Sequence, residues 1–194
     1  MRYKITRENY FSEVIYTIQG KGSWRLSALK GFNRMMLVKN QSSGDVYALQ
    51  EKGLFNPHVF YHDNNKSISK ATFHRGLFLS RRVRPLNING SLYAIRKHSM
   101  LVFSITRDGI PIAICKRENR VVLGVIDYEL CYSRLMEENE HILLLLFLYY
   151  DNTVNRDITA LRSRSIIDVT ISSKKARETE YTAAAERLIA TWGK

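Results

Sequence analysis

The chain has 194 residues, enough for one globular domain, and its apolar and aromatic content is too high for a disordered protein. A formal charge of +12 favours partners that carry anions, and only two cysteines, Cys115 and Cys131, argue against a disulfide framework. No apolar run is long enough to cross a bilayer, and Met1-Arg2-Tyr3-Lys4-Ile5-Thr6-Arg7-Glu8 lacks the apolar stretch of a secretory signal. A soluble, cytoplasmic protein without a transmembrane segment is expected.

Short alternating runs separated by turn signals fill the chain as far as Tyr132. Met35-Met36-Leu37-Val38 and Val46-Tyr47-Ala48-Leu49 flank Asn40-Gln41-Ser42-Ser43-Gly44, which reads as a hairpin with a longer loop. Val59-Phe60-Tyr61 and Ser67-Ile68-Ser69-Lys70-Ala71 flank Asp63-Asn64-Asn65, whose side chains tolerate the positive φ of a tight turn. Asn89-Gly90 and Asp108-Gly109 are hairpin signals ahead of Ser91-Leu92-Tyr93-Ala94-Ile95 and Ile112-Ala113-Ile114-Cys115. Glu118-Asn119-Arg120 is expected to turn the chain into the run from Val121 to Leu130. Hairpins at this spacing indicate an antiparallel meander that curls into a sandwich or barrel, a mainly β fold.

The run Ile142-Leu143-Leu144-Leu145-Leu146-Phe147-Leu148-Tyr149-Tyr150 is apolar on every side. A helix without a polar face must be enclosed, and at about 15 Å it spans half of a bilayer core of about 30 Å. A buried helix over about 138–151 is therefore expected within a domain of residues 1–152. Residues 153–194 form an extension with a possible strand, Ile166-Ile167-Asp168-Val169-Thr170-Ile171, and a helix over about 174–192. Tyr181, Ala184, Ala185, Leu188 and Trp192 make one stripe of that helix, suited to the barrel exterior or to a protein partner.

The order of these elements resembles the tubby C-terminal-like fold, whose relatives include the plant LURP-one-related proteins and the phospholipid scramblases. The resemblance rests on Thr106-Arg107-Asp108-Gly109-Ile110, Pro111-Ile112-Ala113-Ile114-Cys115-Lys116, a strand ending in Asp127-Tyr128-Glu129-Leu130, an acidic step, and the run from Ile142 to Leu148 closed by Asp151. It implies a twelve-stranded antiparallel barrel threaded by its hydrophobic helix. No acidic loop matches the calcium-binding segment proposed for scramblases, so scramblase activity is not carried over. Tubby binds phosphoinositide headgroups through basic side chains, and the basic residues below are chosen from local charge, not from alignment with it.

From Tyr61 to Met100 the bases Lys66, Lys70, Arg75, Arg81, Arg82, Arg84, Arg96 and Lys97 face a single acid, Asp63. Guanidinium offers a planar fork of donors, so Arg82 and Arg84 with Lys66, Lys70 or Arg75 make a candidate phosphate clamp. The same charge also serves to deter pairing at a sheet rim. Phe73, Phe78, Tyr93 and Phe103 interleave with the bases, as on nucleic-acid platforms, but core packing is the better expectation for them. His58 and His62 beside Asp63 lie in extended sequence where the four-residue spacing does not converge on a metal. Cys115 reads as a small buried hydrophobe. Gly20-Lys21-Gly22-Ser23 lacks the following helix of a phosphate loop. No catalytic constellation or cofactor motif appears, so the expectation is a non-enzymatic protein that binds an anionic partner. Phospholipid headgroups at a membrane surface lead, with nucleic acid or a protein docked on the C-terminal helix as alternatives.

Overall fold

The structure is a computed structural model that describes residues 1–11, 13–20, 23–29, 34–52, 58–64, 66–73, 85–98, 102–122 and 125–161, with side chains left aside at 66–73, 118–122 and 153–161. Twelve strands lie within these residues. They are β1 (Arg2–Asn9), β2 (Glu13–Gln19), β3 (Trp24–Leu29), β4 (Arg34–Asn40), β5 (Val46–Lys52) and β6 (His58–Asp63). The rest are β7 (Lys66–Phe73), β8 (Leu86–Ile88), β9 (Ser91–Lys97), β10 (Val102–Arg107), β11 (Ile110–Val122) and β12 (Val125–Tyr132). Each strand pairs antiparallel with its neighbours in the chain, and β1 pairs with both β2 and β12, which closes the sheet into a barrel.

Alternation explains why the sheet curls around one buried face. Tyr3, Ile5 and Arg7 of β1 are buried between exposed or half-exposed Arg2, Lys4 and Thr6. Across the β1–β12 register Tyr3 lies opposite Leu130 and Ile5 opposite Tyr128, so the buried sets of the two strands share a face. Val14 and Tyr16 of β2, Leu26 and Ala28 of β3, and Met36 and Val38 of β4 continue that face. A one-residue slip would turn Lys4 and Glu129 into the core, so the register is strongly specified.

Two hairpins close as their sequences demand. Asn89 and Gly90 have φ of 51° and 82°, and Asp108 and Gly109 have φ of 51° and 83°, the pair of left-handed residues that a type I′ turn requires. Asn64 is also left-handed, at φ 45°. The expected turn at Glu118-Asn119-Arg120 is corrected: β11 runs on to Val122, and the chain reverses between there and Val125. A register irregularity between Arg117 and Val121 takes up the polar residues within the strand, so they mark a bulge and not its end.

After β12, Ser133 caps a short 3-10 helix, Arg134–Asn139, by accepting from the Leu135 amide at 3.3 Å. The α-helix α1 follows over Glu140–Leu161. It starts near the expected position but passes the expected end at 151 and the expected domain boundary at 152. Asp151-Asn152-Thr153-Val154-Asn155 loses apolarity without supplying Gly or Pro, so nothing breaks the helix there. Residues Ile142 to Tyr150 are all buried and belong to one apolar cluster with the buried faces of the strands. No helix among the described residues is long and apolar enough to cross a membrane. The expected strand 166–171 and helix 174–192, with Leu188 and Trp192, lie outside the described residues.

Candidate functional site

A carboxylate stands at each end of the apolar part of α1, and strand side chains converge on both. Glu140 accepts from the hydroxyls of Tyr3 at 2.8 Å and Tyr132 at 2.5 Å, and from the Trp24 indole at 3.2 Å. Asp151 accepts from the hydroxyls of Tyr16 at 2.7 Å and Tyr128 at 2.5 Å, and the Arg7 Nε lies 3.3 Å away. Asn152 donates to the Tyr16 hydroxyl at 3.0 Å and to the Leu148 carbonyl at 2.8 Å. Tyr3 and Arg7 lie four residues apart on β1, and Tyr132 and Tyr128 four apart on β12, so the two clusters mark opposite ends of the barrel. Between them Phe147 meets the rings of Tyr16 and Tyr128 edge-on, at 5.8 and 5.2 Å.

Burial sets the protonation states. Tyr3 is pushed up to about 12, chiefly by burial. Tyr16 and Tyr128 rise well above the ordinary phenol range, first from burial and then from the charge of Asp151. Burial alone would lower Arg7, but the charge of Asp151, with Tyr16 and Tyr128, outweighs it and holds the guanidinium charged. Neutral phenols donate to each carboxylate, so the described partners of both clusters are within the protein. This chemistry fastens the helix.

Four of the expected basic residues, Lys66, Lys70, Arg96 and Lys97, lie on described strands. Arg96 and Lys97 are exposed on β9 at the Asp151 end. Arg75, Arg81, Arg82 and Arg84 lie outside the described residues, but the chain that carries them leaves β7 at Phe73 and returns at Pro85, and Phe73 pairs with Leu86. That connection therefore starts and ends at the Asp151 end, beside Arg96 and Lys97. Lys66 stands at the other end, opposite Asp63 in the register. The length of β7, roughly 23 Å of strand, separates Lys66 from the start of the arginine-bearing connection. Lys70 pairs with Phe60 between the ends. Of the eight bases, the described strands thus place Arg96 and Lys97 at the Asp151 end and Lys66 at the other.

Acids stand at both ends of the barrel: Glu8 and Glu13, on β1 and β2, flank the hairpin at the Asp151 end. At the Glu140 end the connections are short and carry Asp45, Asp108, Glu137 and Glu138. Glu51, near the Asp151 end, pairs with Arg34 at 3.5 Å.

The remaining candidates take structural places. Tyr93 and Phe103 are buried in the apolar cluster, so they are not presented for base stacking. Phe73 and Phe78 fall outside the described side chains. Cys115 is fully buried and its thiol is pushed up by burial, as expected of a small core residue. His98 Nε2 lies 2.7 Å from the Ser104 hydroxyl, and burial and then Arg96 lower its pKa. His58 and His62 lie on one strand, and among the described residues no group of three His, Cys, Asp or Glu side chains is placed to hold a metal ion. Family models, curated proteins and solved structures were all compared with the chain, and none matches.

Proposed function

We propose that the chain is a non-enzymatic, tubby-like barrel that binds an anionic partner, phospholipid headgroups at a membrane face, through its Asp151 end. α1 acts as the central helix of that barrel. Support for the enclosed helix comes from the burial of every side chain from Ile142 to Tyr150 and from the two carboxylates held by strand tyrosines. A helix fastened at both ends gives a rigid frame on which charged connections are displayed.

The observation that carries the binding reading is the exposure of Arg96 and Lys97 where the connection bearing Arg75, Arg81, Arg82 and Arg84 begins and ends. Exposed cations at one end attract an anionic surface. Guanidinium groups add bidentate hydrogen bonds to phosphate.

Co-sedimentation with vesicles tests this directly. Phosphatidylserine-containing vesicles should recover the protein, vesicles of phosphatidylcholine alone should not, and added salt should weaken recovery. Replacing both Arg96 and Lys97 by Ala should cost about 2 kcal/mol, roughly thirtyfold in partitioning. Equal recovery on both vesicle types would eliminate lipid-headgroup binding.

A further inference from the structure

A barrel wall buries its inward side chains and leaves its outward ones to water unless something lies against them. The outward Arg2 and Lys4 of β1 and the outward Arg25 and Leu29 of β3 are exposed accordingly. Among the described residues, four buried apolar side chains stand outside the apolar cluster that contains α1: Ala48, Val102, Ile114 and Cys131. Ala48 is small, and its register partners Leu37 and His62 remain half-exposed. The other three lie together, on the adjacent strands β10, β11 and β12. Each precedes or follows a residue of the cluster, Phe103, Cys115 or Leu130, so alternation turns it to the outside.

The register aligns Ser104, Ile114 and Cys131 in one row, with exposures of 5 %, 1 % and 6 %. That row ends on either side at an exposed arginine, Arg96 on β9 and Arg2 on β1. From β10 to β12 is two strand spacings, about 10 Å, and a helix with its side chains is about 10–12 Å across. A covering one helix wide accounts for burial that stops at both arginines. The described strands all stand in the wall, and the buried residues of α1 and the 3-10 helix belong to the inward cluster. The covering therefore comes from the rest of the chain, of which two stretches exceed five residues, 74–84 and 162–194. The first is tied to β7 and β8 and would have to pass over exposed Arg96 to reach this face. The second leaves α1 at Leu161, beyond Asp151, and so starts from the end of the barrel where β10 begins at Val102. Its stripe of Tyr181, Ala184, Ala185, Leu188 and Trp192 suits a face of Val, Ile and Cys, while Glu186 and Ala190 fall on the opposite side of a helix.

We infer that the C-terminal helix expected over 174–192 folds back along the outside of the barrel and covers β10, β11 and β12 with its Leu188 and Trp192 stripe. The stripe then docks on this chain and not on another protein, and these three strands are packed on both faces.

The test uses the full chain, with Cys131 as a reporter at the edge of the covered face and the fully buried, inward Cys115 as the control. In the wild-type protein N-ethylmaleimide should modify both slowly, as read by peptide mass spectrometry. Leu188→Asp should speed modification of Cys131 by at least about tenfold and leave Cys115 slow, whereas Ala190→Asp, on the far side of the helix, should change neither. Rapid modification of wild-type Cys131, or equal effects of the two aspartates, would overturn the docking. A Leu188→Asp variant that unfolds would expose both cysteines, so a second measurement decides the question without disturbing the stripe. An apolar diazirine amino acid in place of Leu188 should cross-link on illumination within one chain, to peptides from 102–116 or 125–132. Cross-links to other strands, cross-links between two chains, or none to these peptides would overturn the inference.

Discussion

Asp151→Ala removes the carboxylate on which three strands converge. Two buried phenols, Tyr16 and Tyr128, and the nearly buried Arg7 guanidinium lose a partner at once. Breaking a buried ion pair from one side costs about 3–5 kcal/mol, and each buried hydroxyl left without its acceptor adds about 1–3 kcal/mol. Relaxation and entering water recover part of this, so a loss of about 4–7 kcal/mol is expected. Against a total stability of about 5–15 kcal/mol for a domain, the variant should be largely unfolded or close to it. Urea denaturation followed by far-ultraviolet circular dichroism measures the change. Arg7→Met combined with Asp151→Leu should be less damaging than Asp151→Ala alone, because no charge remains buried without a partner. A loss below about 1 kcal/mol for Asp151→Ala, the scale of an exposed ion pair, would refute the idea that this carboxylate is a buried fastening.

Three further outcomes follow from the same geometry. Leu145→Lys puts a charge in the middle of the buried run and should prevent folding, visible as loss of the cooperative thermal transition; a folded variant with the wild-type melting temperature would contradict enclosure. The raised phenol pKa values mean that the stabilisation is fully present below the unfolded value of about 10 and is lost as pH climbs through the folded values, about 12 for Tyr3. The urea midpoint should therefore hold steady through neutral pH and fall from about pH 10 upward, and a midpoint that stays level through that range would exclude the buried phenols as contributors. Gly20→Ala should destabilise by about 1–3 kcal/mol, since Gly20 has φ of 154° and an added Cβ would lie 2.6 Å from Cδ1 of Tyr3; chemical denaturation that finds no change would show that Tyr3 is not confined there.

Local chemistry was legible where it acts locally. Asn89-Gly90 and Asp108-Gly109 announce their turns because few residue types accept two consecutive left-handed conformations, and the alternation in β1 and β12 announces a half-buried sheet. The uniform apolarity from Ile142 to Tyr150 likewise foretold burial. The fastenings were not legible. Tyr3 and Glu140 are separated by 137 positions and Tyr16 and Asp151 by 135, and no spacing rule links residues so far apart. The role of Asp151 left a trace only as the acid that ends the apolar run. Helix continuation to Leu161 was missed because loss of apolarity was read as loss of helix, whereas the backbone needs a breaker to stop. The candidate clamp of Lys66 with Arg82 and Arg84 was assembled from nearness in sequence, and both arginines lie outside the described residues.

Central to the proposed function is a helix enclosed by the protein's own sheet, which the burial of every side chain from Ile142 to Tyr150 supports. Native-state hydrogen exchange across Ile142 to Tyr150 tests it most directly. Enclosure predicts that these amides exchange only through global unfolding, with opening free energies equal to the stability measured by denaturant. Exchange of this segment by a cheaper local opening, while strands β1 and β12 remain protected, would contradict it.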